Sequence, residues 1–403
     1  MKTIARAIGP IVEKAARAFP AVVLTGLRRA GKTFLLRRLF PDATYVLMEA
    51  PDAVARFRAD PQGFLDSLPL PAILDEVQNV PEVFNHIRAR IDAAPRKTGR
   101  WFLTGSQEAG LMRGITESMA GRAAILHLSP LSAAECPKID LFSGGFPEVL
   151  ARPRSANLWF ESYIQTYLER DVRGVLAIHD LAVFRRFLAL VASRHGQILN
   201  KTDLAAPLGM SVPGISKWID ALHVTGQILL VPPFFENLGK RIIKSPKLFL
   251  ADSGLACHLL GIRSRAELER SPFLGAVFEG LVASEILKSQ TNAGLRGELF
   301  YFRDQQGLEV DFLVRLGGGG ILLAEAKAGR TVTPADAGPM RRLAAVMKKS
   351  PIRMCLVHRS PRGGMVSNAV APGVERVDWR EFGGRLEDGF FQRAAVSSRG
   401  RQE

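Results

Sequence analysis

Gly26-Leu27-Arg28-Arg29-Ala30-Gly31-Lys32-Thr33 fits the pattern G-x-x-x-x-G-K-[ST]. The apolar run Ala21-Val22-Val23-Leu24-Thr25 precedes it, and Phe34-Leu35-Leu36-Arg37-Arg38-Leu39 follows at helical spacing. The stretch therefore reads as strand, Gly-rich turn, helix. Glycines let backbone N–H groups curl round phosphate oxygens, and a helix N-terminus adds the positive end of its dipole. Lys32 brings a point charge to the β- and γ-phosphates, and the Thr33 hydroxyl is a ligand for Mg²⁺. The expected ligand is ATP with Mg²⁺.

Working outward, the next apolar strand, Pro71–Leu74, ends in Asp75-Glu76. In a parallel sheet, ligands collect beyond the carboxyl ends of the strands. Asp75 is expected to hold Mg²⁺ through water, and Glu76 to polarise the attacking water. Alone, two acids after a strand mean little; paired with the phosphate loop they carry weight. A third strand, Arg100–Thr104, runs into Gly105-Ser106-Gln107, where Thr104 or Ser106 can sense a phosphate or simply cap the strand. Arg122 is a candidate for a γ-phosphate in a neighbouring subunit, or only a surface side chain. The expected nucleotide contacts are Gly26, Arg29, Ala30, Gly31, Lys32, Thr33, Phe34, Asp75, Thr104 and Arg122. Thr44–Met48 and Ala124–Leu128 complete five strands alternating with helices. That alternation predicts an α/β unit with a parallel sheet covered by helices on both faces.

Several segments together resemble the prokaryotic AAA+ superfamily ATPases that carry a C-terminal domain of unknown function. They are the phosphate loop, Leu74–Gln78, Leu103–Gln107, Ala120–Arg122 and Leu128–Ser132, then Gly144–Glu148, Leu168–Val172 and Lys247–Ala256. The resemblance covers about residues 15 to 330 and implies ATP binding and hydrolysis. Leu27 stands where that family usually has proline, a change in loop stiffness and not in chemistry. Such relatives often act as rings, which makes a homo-oligomer possible here.

Over residues 150–195 the character changes. Leu158–Val172 and Leu181–Arg194 read as helices. Lys201–Leu222 has the small and apolar positions of a helix-turn-helix, with Thr202 and Ser211 as candidate N-caps. Pro207 fits poorly inside the first of those helices. Ile228–Val231 and Lys247–Leu250 are candidate hairpin strands that would form a wing. Lys217, Lys240, Arg241, Lys244 and Lys247 are candidates for DNA phosphates, although such a unit can equally serve protein packing.

Residues 279–327 hold a second constellation. Glu279 sits on an apolar helix, Asp311 lies in Glu309-Val310-Asp311-Phe312, and Glu325-Ala326-Lys327 follows the strand Ile321–Leu323 after a Gly317–Gly320 turn. Residues two apart on a strand share a face, so Glu325 and Lys327 point together. This order resembles the PD-(D/E)XK nuclease superfamily. The resemblance assigns metal to Glu279, Asp311 and Glu325 and the catalytic lysine role to Lys327, with Glu309 accessory. The bland reading is an ion-pair cluster without turnover.

Composition sets outer bounds. The 403 residues are 47% hydrophobic and 23% charged, which excludes a mainly disordered or collagen-like chain. No apolar run approaches the roughly 18 residues that span a bilayer. Three scattered cysteines, Cys136, Cys257 and Cys355, exclude a disulfide framework and point to a reducing cytoplasm. The net charge is +15. Residues 1–150 hold 19 basic and 15 acidic side chains, so most of the excess lies further on and favours a polyanion such as DNA. The expected organisation is an ATPase domain over 1–135, a helical linker over 136–195, a winged-helix-like unit over 196–262, a nuclease-like unit over 263–360 and a frayed tail over 361–403. The expected function is an ATPase coupled to DNA, with or without its cleavage, or else an ATP-driven switch whose nuclease-like unit only binds a protein or DNA partner.

Overall fold

A computed structural model of the protein describes residues 4–105, 118–168, 180–234, 244–329, 331–347, 350–359 and 369–386. Ser106, Gln107, Lys240, Arg241 and residues 169–172 lie outside the described residues.

The N-terminal unit is a five-stranded parallel sheet. Its strands are β1 (Ala21–Thr25), β2 (Thr44–Leu47), β3 (Ala72–Asp75), β4 (Trp101–Thr104) and β5 (Ala123–His127), in the order β2-β3-β4-β1-β5. β1, β3 and β4 are buried throughout, as strands covered on both faces must be. Alternation along β1 divides the core. Val22 and Leu24 pack with Val12, Leu35 and Leu36 of helices Gly9–Ala18 and Lys32–Leu39. Ala21 and Val23 pack with Phe57, Phe84 and Ile87 of helices Pro51–Ala59 and Val83–Ala93. Each large apolar side chain buried this way contributes about 1.5–3 kcal/mol. All five strands stand within one residue of their expected places.

The middle unit is helical. Ala156–Tyr163 continues through a π turn, and Leu181–Ser193 is capped by Asp180. Helix Lys201–Ala205 stops before Pro207, which sits in the 3₁₀ turn Ala206–Leu208, so the misfit proline is accommodated by ending the helix. Gly209 follows in the left-handed region at φ 63°, and Ser211 caps helix Val212–Val224. The first helix is capped by Asn200 and not by Thr202. β6 (Gln197–Ile198), β7 (Ile228–Val231) and β8 (Lys247–Leu250) form a small antiparallel sheet.

The C-terminal unit is a six-stranded mixed sheet. β9 (Phe300–Arg303), β10 (Glu309–Arg315) and β11 (Ile321–Lys327) pair antiparallel, and β12 (Ile352–His358) continues parallel to β11. The tail expected from residue 361 is corrected here. β13 (Ala369–Ala371) and β14 (Val374–Asp378) extend the sheet, and helix Trp379–Arg385 buries Trp379 and Phe382 in the core. Helix Leu274–Asn292 packs Phe278 and Val282 against Phe312, Leu322 and Val357. It is buried on nearly every side, and charged side chains enclosed with it are paired, as Lys288 is with Glu285 at 3.0 Å.

Candidate functional site

The phosphate loop gets its shape from three residues in the positive-φ region. Gly26 has φ 140°, and a Cβ there would lie 2.1 Å from the Leu128 carbonyl oxygen, so only glycine fits. Arg29 has φ 62°, and Gly31, at φ 96°, begins helix Lys32–Leu39. Such turns direct consecutive N–H groups into one concavity suited to an anion. Lys32 Nζ donates to the Gly26 and Leu27 carbonyls at 3.0 Å each, so its charge spans the loop. Phe34 is exposed, and Arg29 stands 3.8 Å from Glu148.

Asp75 ends β3 and gathers three hydroxyls. Thr33 Oγ1 donates to it at 2.9 Å, Tyr45 at 2.8 Å, and Thr104 donates from the end of β4. Burial and the Asp75 carboxylate push the Tyr45 phenol above its usual range, which keeps it a donor. Thr33 and Asp75 are two hard oxygen ligands in contact, a set that fits Mg²⁺ alongside a nucleotide. Glu76 follows with φ 58° and donates its N–H to Thr104 Oγ1 at 3.3 Å. Gln78 Nε2 donates to its carboxylate, and Asn79 to its carbonyl at 2.9 Å. Arg122 is held within its own unit by both oxygens of Asp92, at 2.6 and 3.0 Å.

Sequence patterning did not single out Arg6. Its guanidinium donates to the Ala30 carbonyl of the loop at 2.8 Å, to Ser129 O at 2.7 Å and to Glu135 at 2.9 Å. Glu135 also accepts from Ala7 N and Ser132 N. The Arg6 contacts join residues 24 to 129 positions apart, and no local pattern announces them.

The C-terminal constellation is assembled with one unexpected member. Extending the β10–β11 register by one residue sets Asp311 opposite Glu325. Asp311 accepts from Ala326 N at 2.9 Å, and Lys327 pairs with Glu325 at 2.9 Å. Lys247, expected at DNA phosphates, is instead buried here. Its ammonium lies 2.8 Å from Glu279, 2.5 Å from Glu309 and 3.7 Å from Asp311. Burial pulls the lysine down, but the three carboxylates outweigh it and hold it charged. Burial and the Asp311 charge raise Glu279 to about 8 and Glu325 to about 7. Among the described residues, no group of three or more acidic, His or Cys side chains is arranged to hold a metal ion. With a lysine between Glu279 and Asp311, the set does not fit a divalent metal in this arrangement. Lys217 and Lys244 are exposed on the middle unit.

Fold and loop together define a P-loop nucleotide-binding protein, and the comparisons agree. An AAA domain matches residues 18–136, and two domains of unknown function match 140–266 and 274–369, the latter DUF4143. The chain is 34% identical over 306 residues to uncharacterized proteins of Mycobacterium tuberculosis and Mycobacterium bovis. That alignment covers 74% of this chain and 68% of each relative. The chain belongs to their family, and its AAA domain makes it a member of the P-loop ATPases. The Walker-type ATPase of Pyrococcus abyssi is 16% identical with a TM-score of 0.44, covering 62% of this chain and 94% of that one. A signal transduction ATPase with numerous domains from Pyrococcus horikoshii is 12% identical at 0.23, covering 71% and 47%. The three cysteines are free and buried, and no described helix is long and apolar enough to cross a membrane.

Proposed function

We propose that the protein binds ATP with Mg²⁺ and hydrolyses it, and that this cycle switches its hold on a partner, with DNA as the partner its charge favours. The observation that carries the reading is the Asp75 carboxylate, which joins Thr33 of the loop to Thr104 of a second strand. Loop N–H groups and Lys32 bind the β- and γ-phosphates. Thr33 and Asp75 hold Mg²⁺, which neutralises charge on the phosphates when bound. Glu76 orients water, and Thr104 fixes Glu76 through its backbone. The Gln78 contact keeps the Glu76 carboxylate in place until nucleotide arrives.

Steady-state hydrolysis and nucleotide binding test this. Lys32→Ala weakens binding. Glu76→Gln keeps binding and slows turnover by about 100-fold or more, the usual loss when a positioned base is removed. Unchanged hydrolysis in both variants would sink the assignment.

A second reading, metal-dependent DNA cleavage, draws on the convergence of Glu279, Asp311, Glu325 and Lys327. Lys247 among the acids favours the switch over the nuclease. Plasmid cleavage with Mg²⁺ or Mn²⁺, with and without ATP, separates them. Cleavage that disappears in Asp311→Ala establishes a nuclease, and no cleavage with ATPase intact leaves the switch.

A further inference from the structure

The acid cluster of the C-terminal unit carries a cation that comes from elsewhere in the fold. Lys247 belongs to β8 of the middle unit, yet its side chain is only 4% exposed and ends among Glu279, Glu309 and Asp311. The ammonium also lies 5.5 Å from the centre of the Tyr301 ring on β9. β9, β10 and the long helix thus all contribute to the place where it sits. An ammonium supplies one charge and donates hydrogens, whereas a divalent ion needs several oxygens drawn in to about 2.0–2.6 Å. Glu279 and Asp311 cannot serve both at once.

One oxygen of the set lies beyond the reach of this lysine. Glu325 stands opposite Asp311 and has a buried Oε2 with no hydrogen-bond partner. Its other oxygen takes Lys327. Four carboxylates, those of Glu279, Glu309, Asp311 and Glu325, face the three cations Lys247, Lys327 and Arg303. Lys247 takes three of these acids, and the fourth, Glu325, takes Lys327.

We propose that Lys247 is the resident cation of this centre, a tethered ammonium that closes Glu279 and Asp311 to a divalent metal and fastens the middle unit to the C-terminal unit. The proposal rests on reading Glu279, Asp311 and Glu325 as a metal-type acid set. It is independent of ATP hydrolysis and of whether the centre ever cuts DNA. Withdrawal of β8 would remove the lysine and expose the acids, so the position of the middle unit governs the charge state of the centre.

Mn²⁺ titration of the full chain without nucleotide, followed by calorimetry, tests it. Wild type is expected to show no saturable site tighter than about 1 mM. Lys247→Met gains one site, tighter by about tenfold or more, because the acids regain free oxygens. Lys247→Met/Asp311→Asn loses that site again. Saturable, Asp311-dependent Mn²⁺ binding by the wild type would overturn the proposal, as would a folded Lys247→Met that gains none. Lys247→Met also melts lower by about 5 °C or more, and adding Glu279→Gln and Asp311→Asn restores part of the loss. Should Lys247→Met alone fail to fold, the charge-balanced triple variant decides: it folds if the lysine is the partner of these acids, and its failure too overturns the account.

Discussion

Arg6 shows how a single side chain can order a loop it does not belong to. Its side chain is 7% exposed and that of its partner Glu135 is 2% exposed. Arg6→Met would strand a buried carboxylate that still accepts from Ala7 and Ser132. Losing one partner of a buried pair costs about 3–5 kcal/mol. Urea unfolding should show a loss of that size, and a loss below about 1 kcal/mol would show the pair to be idle. Glu325 gives a different signature. Burial first, then Asp311, raises its acid to about 7 against the pull of Lys327. The folded protein therefore holds a proton that the unfolded chain releases above its ordinary value of 4.5. Stability from this group is whole below pH 4.5 and is lost as pH rises through about 7. Glu325→Gln should flatten the stability profile between those limits by about 2–3 kcal/mol. A variant with the wild-type slope there would refute the assignment. The phosphate-loop residues were legible in the sequence because glycine spacing and the lysine are local. Arg6 and Lys247 were not, because only the tertiary fold brings them to their partners.

At the scale of elements, legibility followed burial and length. β7 and β8 stand at their expected residues, as apolar runs bounded by breakers do. β14 reads Val374-Glu375-Arg376-Val377-Asp378, too polar to register alone, and it is ordered by pairing with β12. The long helix Leu274–Asn292 meets the middle unit at Gly280. A Cβ there would stand 2.3 Å from His195 Nε2, which donates no relief because the imidazole is fixed through Leu250 N. Gly275, on the same helix, has open space at its Cβ. Gly280→Ala should therefore cost about 1–3 kcal/mol through overpacking. Gly275→Ala should be neutral or stabilise by up to about 1 kcal/mol, as alanine does in a helix. Thermal melts of the two variants compare the same chemical change in two settings. Equal shifts would mean that the helix and His195 are not in register as described.

For the whole molecule, charge is the one property the sequence displays without any fold. The excess of 54 basic over 39 acidic side chains attracts polyanions at long range, but it does not say where they land. The structure narrows the choice by removing Lys247 from the surface and leaving Lys217 and Lys244 exposed on the middle unit. If DNA lies across that unit, each phosphate neutralised releases counterions, and log K falls with log salt by about 0.9 per contact. Fluorescence anisotropy with a short duplex, repeated from low to moderate salt, reads that slope. Lys217→Ala/Lys244→Ala should lower it by about 2 and weaken binding alike for every sequence, because phosphate contacts carry no base information. A slope unchanged in the double variant would move the contact to another face. A slope near zero would remove DNA from the account, and the switch would then be sought in a protein partner. Repeating the series with ATP and with Glu76→Gln, which is expected to hydrolyse slowly, asks whether nucleotide changes the number of phosphates held. A change in slope would tie hydrolysis at the N-terminal sheet to a surface on the middle unit.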